Sequence, residues 1–166
     1  MSQHFNTQET AIHQKTRQFI QACASENYFE ALTRHLALHL DVDVALAGRL
    51  TPLHRATVQT LALFVKGTFL PETTYILPAP LTERKTLSNS PEVPGSAAWD
   101  IKINTLAAAD CVAIPLYNVT GAPLGILALA HGKTIENPIF AKALLELATA
   151  RTSREMQKLE SLVFPE

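Results

Sequence analysis

The chain has 166 residues, 47% apolar and 17% charged, with a formal net charge of -1. That length fits one domain, which buries roughly two thirds of its unfolded surface and needs no disulfide or metal to fold. The apolar content excludes a disordered chain, and 14 Lys+Arg against 15 Asp+Glu leave no basic footprint for nucleic acid.

Residues 8–40 have helical periodicity. From Gln8 to Ala24, Ile12, Phe19, Ile20 and Cys23 form a loose apolar face. Ser25 is the expected N-cap of a second helix, in which Phe29, Leu32, Leu36 and Leu40 recur at helical spacing. Asp41 ends it. From Val42 the period becomes two: Val42, Val44, Leu46 and Leu50 alternate with Asp43, Ala45, Ala47 and Arg49. Gly48 marks a bulge or a close approach. Thr57 to Lys66 is a second strand, so the two runs predict an antiparallel hairpin. A short third strand, Thr73 to Leu77, stops at Pro78 and Pro80. Residues 78–99 hold five of the punctuating residues, Pro78, Pro80, Pro91, Pro94 and Gly95. A loop of that length tends to be a lid or a binding loop. Asp100 then caps a short helix running to Ala109, with Ile101, Ile103 and Leu106 as its apolar contacts.

Cys111 to Tyr117 and Leu124 to Ala130 are nearly continuous apolar runs, joined by the turn Asn118 to Pro123. Such strands are buried on both faces, so layers must cover both sides of the sheet. Pro115 cannot donate to a ladder and predicts a bulge or an unpaired site. Asn137 caps the last helix and Pro138 opens it. Phe140, Leu144, Leu147 and Ala148 form its buried face. Beyond Ala150 a thin apolar seam continues at Thr152, Met156, Leu159 and Val163. An uncovered seam invites a second helix, which predicts a homodimer through the terminal helices. The organisation expected is an N-terminal helix over 1–24, a domain over 25–150 and a helical extension over 151–166.

Cys23 and Cys111 lie far apart in apolar surroundings, as buried thiols of a reducing compartment do. Met1 to Asn6 lacks the basic and apolar regions of a signal peptide. No apolar run approaches the roughly 20 residues of a spanning helix. The expectation is a cytoplasmic chain with no membrane insertion.

Four segments carry a family resemblance: Leu46-Ala47-Gly48-Arg49-Leu50, Thr60-Leu61-Ala62-Leu63-Phe64, Cys111-Val112-Ala113-Ile114-Pro115-Leu116, and Thr120-Gly121-Ala122-Pro123-Leu124-Gly125-Ile126-Leu127-Ala128-Leu129. In this order they resemble a GAF domain, a small-molecule sensory module, over roughly residues 25 to 155. Ala113 stands where that family often has glycine, and Pro115 is usual there. The resemblance implies an α+β, profilin-like fold: an antiparallel sheet of five or six strands between helical layers. The terminal helices would cover one face, and the other face would enclose a ligand. It also implies a regulatory role without catalysis. The output favoured is that of a bacterial sensor histidine kinase, then a diguanylate cyclase or a transcription regulator. No cofactor is required by the sequence, and its identity, if any, stays open. Two alternatives stand beside this reading: a thiol enzyme of the methionine-sulfoxide-reducing kind using Cys111, and a degenerate module serving dimerisation only.

Period-two alternation, read with this resemblance, places a ligand against Cys111 and Ala113 on one strand and Leu127, Leu129 and His131 on the next. Trp99 and Ile101 belong to the expected lid, where Trp99 either stacks on a ligand or seals the core. The lining favours an apolar or aromatic small molecule. In bilin-binding relatives a histidine at the position matching His131 faces the pocket; the other reading is a histidine in a turn facing solvent. His35 and His39, four residues apart, share a helix side as zinc ligands do. Leu-Ala-Leu between them and the want of a third ligand favour two residues flanking a buried face.

Overall fold

The computed structural model describes residues 5–50, 57–71, 74–76 and 110–163. Helix α1 (Thr7–Ala22) opens on a reciprocal cap. Asn6 Oδ1 accepts the Glu9 amide at 2.7 Å, and Glu9 Oε1 accepts the Asn6 amide at 3.1 Å. A 3-10 turn (Ser25–Asn27) leads into α2 (Tyr28–Leu40), which Asp41 ends in the left-handed conformation at φ 54°. Ser25 is not the cap of α2. Asn27 holds that position without a side-chain bond, and the Ser25 hydroxyl donates to Glu155 instead.

Six strands follow: β1 (Val44–Leu50), β2 (Thr57–Val65), β3 (Thr68–Phe69), β4 (Thr74–Ile76), β5 (Asp110–Tyr117) and β6 (Pro123–His131). They form one antiparallel sheet of order β3-β2-β1-β6-β5, with β4 also paired to β2. Lys66 (φ 47°) and Gly67 (φ 86°) make the tight turn that lets the two-residue β3 fold back on β2. The β1–β2 register slips between Ala47 and Gly48, the bulge that Gly48 announced. A side chain at Gly48 would collide with Val58 Cγ1, so β1 and β2 close only over a hydrogen there. Pro115 disrupts nothing: it pairs with Ile126, and the slip falls one step later, between Leu116 and Tyr117. Among the described strands β5 lies at the sheet edge, where a missing amide is tolerated.

The last helix, α3 (Pro138–Val163), is capped by Asn137, whose Oδ1 accepts the Phe140 amide at 3.2 Å. Helix α2 packs on β1 and β2, α3 packs on β5 and β6, and α1 lies against α3 and α2. All three therefore serve the same side of the sheet. The first half of the expected seam belongs to the globule. Thr152 and Met156 are fully buried in the chain's own core, and α3 runs unbroken through the expected boundary at 150. The apolar stripe that motivated a homodimer is thus covered as far as Met156. The short helix expected over 100–109 lies outside the described residues.

Candidate functional site

Strand alternation divides the sheet into two unlike faces. The helix side carries Ala45, Ala47, Phe64, Val112, Ile114, Leu116, Leu127 and Leu129 in one continuous core with the three helices. The opposite side carries Val44, Leu46, Val58, Leu63, Cys111, Ala113, Ile126, Ala128 and Ala130. At its centre two cross-strand pairs, Cys111 with Ala130 and Ala113 with Ala128, set four small side chains together. Larger side chains, Val44, Leu46 and Ile126, rim them. All four are at most 3% exposed, so this floor is covered, and its side chains take up less volume than leucines would.

The common face expected from alternation is therefore corrected. Cys111 and Ala113 belong to the small-residue side, whereas Leu127 and Leu129 point into the helical core. The cause is the slip between Leu116 and Tyr117. Tyr117 pairs with Pro123, but every residue upstream pairs one position further along. A one-residue change of register sends each partner side chain to the other face. Ala128 and Ala130 stand beside Cys111 and Ala113, where Leu127 and Leu129 were expected. Trp99 and Ile101 lie outside the described residues.

Cys111 is 2% exposed. Burial, and then the neighbouring Asp110, push its thiol up to about 12. A thiol so buried stays protonated at neutral pH and packs as a small apolar side chain. Asp110 is itself occupied: its carboxylate accepts the Cys111 and Ile135 amides, each at 2.9 Å. It ties the start of β5 to the loop after β6.

His131 does not reach the small-residue side. Its Nδ1 accepts the Asp43 amide at 3.1 Å, fastening the end of β6 to the start of β1. Its ring borders a cleft of about 400 Å³ with Leu40, Val42 and Ile135.

No sequence-family profile matches the chain, and no curated protein does. Solved structures do. The GAF domain of an Acinetobacter phosphoenolpyruvate-protein phosphotransferase superposes with a TM-score of 0.67 at 12% identity, over 96% of this chain and 99% of that one. A phycocyanobilin-bound GAF domain from a cyanobacterial phytochrome gives 0.64 at 13% identity, over 98% and 100%. A GAF domain assigned to a sensor histidine kinase of Pseudomonas syringae pv. tomato gives 0.54 at 16%, over 95% and 93%. This chain has the GAF fold.

Within this GAF fold the terminal helices are joined by a partly buried polar hub that the sequence did not announce. Arg151 on α3 donates to the Ile20 and Cys23 carbonyls at 2.7 and 2.8 Å, closing the C-terminal end of α1. Its guanidinium lies 4.7 Å over the Tyr28 ring and donates to Glu155 at 2.8 Å. Ser25 and Lys158 also donate to Glu155, and Tyr28 shares a 2.7 Å bond with Thr152. Burial alone would raise the Glu155 carboxyl, but these donors hold it below its ordinary value.

His35 bonds Thr16 at 2.8 Å and stacks on Phe19, with the His39 ring 4.2 Å away. Burial, and then His39, bring His35 down to about 4. His35 thus links α2 to Thr16 and Phe19 on α1. Among the described residues no group of three or more His, Cys, Asp or Glu could hold a metal.

Proposed function

We propose that this chain is a regulatory GAF domain that senses a small apolar or aromatic molecule and performs no catalysis. In this reading it is the cytoplasmic input module of a bacterial signalling protein, with a sensor histidine kinase as the favoured output. The observation that carries it is the small-residue side of the sheet, where Cys111, Ala113, Ala128 and Ala130 lie together and uncharged. An apolar floor suits a ligand with few polar groups, because an unpaired charge buried there is costly. The likeness to a phycocyanobilin-bound GAF domain and to one assigned to a sensor histidine kinase supports the class of function. The thiol-enzyme alternative finds no support in Cys111, whose thiol is buried and held protonated.

The test is a thermal-shift titration with a panel of aromatic and apolar metabolites. A molecule that binds only the folded chain should add about 2.7 kcal/mol at a hundred times its dissociation constant. Ala128→Leu, which fills the floor, should abolish that gain while leaving the unliganded fold intact. A gain that survives Ala128→Leu and Ala113→Leu would refute the site.

A further inference from the structure

At the end of β6 one nitrogen stands before two groups. His131 Nδ1 accepts the Asp43 amide at 3.1 Å, and Asp43 Oδ2 lies 3.4 Å from the same nitrogen. A nitrogen that accepts carries no proton, so the ring keeps its hydrogen on Nε2. The carboxylate meanwhile accepts the Gly132 amide at 2.9 Å. A proton added to Nδ1 turns the acceptor into a donor. It then opposes the Asp43 amide and faces the Asp43 carboxylate.

We infer that His131 and Asp43 form a proton-operated clasp between the start of β1 and the end of β6. The neutral imidazole holds the Asp43 amide. The protonated imidazole releases it and pairs with the Asp43 carboxylate. The site suits such a device because the side chain is partly open to water, at 20% exposure. It also stands at a junction: the Val42 amide bonds the Ala37 carbonyl at the end of α2, and the Lys66 amide bonds the Asp43 carbonyl from the β2–β3 turn. Protonation therefore exchanges one β1–β6 bond for another: the Asp43 amide is set free while the Asp43 carboxylate keeps the two strand ends together.

Other charged groups surround the ring. Asp41 at the end of α2, and Lys133 and Glu136 in the loop before α3, line the same cleft. Asp110, opposite His131 on β5, directs its carboxylate oxygens to the Cys111 and Ile135 amides. Lys66 meets Asp43 through its backbone amide, which bonds the Asp43 carbonyl. Asp43 is therefore the carboxylate placed to receive the new N–H.

The clasp does not rest on the proposed ligand, and its test needs none. Nitrogen-15 spectra of the full chain, followed from about pH 8 to about pH 5, cover the range in which an imidazole titrates. The Asp43 amide signal should move with the same midpoint as the His131 ring. Its exchange protection, corrected for intrinsic rate, should fall about fivefold, the loss of one ordinary hydrogen bond. His131→Asn supplies an acceptor that does not titrate, and in it the Asp43 signal should stay flat; His131→Gln serves if that variant misfolds. An Asp43 signal that ignores the ring titration in the native chain would overturn the clasp. So would an equal response in the non-titrating variant.

Discussion

The two faces of the sheet are built from opposite materials. The helix side interlocks long side chains, Leu127, Leu129, Leu144 and Leu145, all fully buried. Around its rim a polar hub stitches α1, α2 and α3 together through Arg151. The other side sets Cys111, Ala113, Ala128 and Ala130 in an apolar patch. One face spends its volume on packing and therefore on stability. The other is floored by small side chains, where the guest is proposed to sit. In a GAF fold that contrast separates the residues that hold the domain from those proposed to serve it.

Substitutions on the helix side should break the contrast most. Leu129→Ala should cost about 2–5 kcal/mol in urea unfolding, since it opens a cavity in a dry core. A cost below 1 kcal/mol on the same ~2–5 scale would mean that this face is not the packed one. Next comes Arg151→Ala, which leaves Glu155 with only Ser25 and Lys158. It should cost about 2–4 kcal/mol, somewhat less than a fully isolated buried pair. The sign of its pH dependence follows from the depressed Glu155 carboxyl. The stabilisation is present above the ordinary value of 4.5 and is lost as pH falls through the lower folded value. Arg151→Ala should flatten that acid limb.

Gly125→Ala probes the place where helix and sheet touch backbone to side chain. Its new methyl would meet the Gly48 carbonyl and Met156 Sδ, so α3 must shift. The expected loss is about 1–3 kcal/mol. A smaller effect should come from His35. Its folded value of about 4 lies below the ordinary 6.5, so stability is full above 6.5 and declines as pH falls toward 4. His35→Phe should remove that slope while keeping the stack on Phe19. The smallest effect belongs to the other face: Cys111→Ala should change stability by less than about 1.5 kcal/mol, with no change in fold.

Much of this architecture was legible in the chain. The switch from helical to period-two spacing near Val42 marks the start of the sheet, although β1 itself begins at Val44. The turn at Asn118 to Pro123 joins β5 to β6 as its residues imply. Gly48 correctly marked a bulge, because a glycine in an apolar strand has a local reason. The faces were not legible, and the reason is equally local. Which residues share a side depends on a slip at Leu116 and Tyr117, and neither residue type signals one. The two-residue β3 was missed because so short a strand has no period. The Arg151 hub joins groups about 130 positions apart, and long-range polar pairing leaves no mark on spacing. The seam at Thr152 and Met156 looked exposed because its cover comes from distant elements, Tyr28 on α2 and Gly125 on β6.

The central claim is that the guest sits on the small-residue side. Methyl NMR of selectively labelled alanine and leucine tests it most directly, with the binder from the metabolite panel titrated into the native chain. The account predicts shifts in the Ala113, Ala128 and Ala130 methyls, with Leu127 and Leu129 nearly still. Shifts concentrated at Leu127 and Leu129, with the three alanines unmoved, would contradict it.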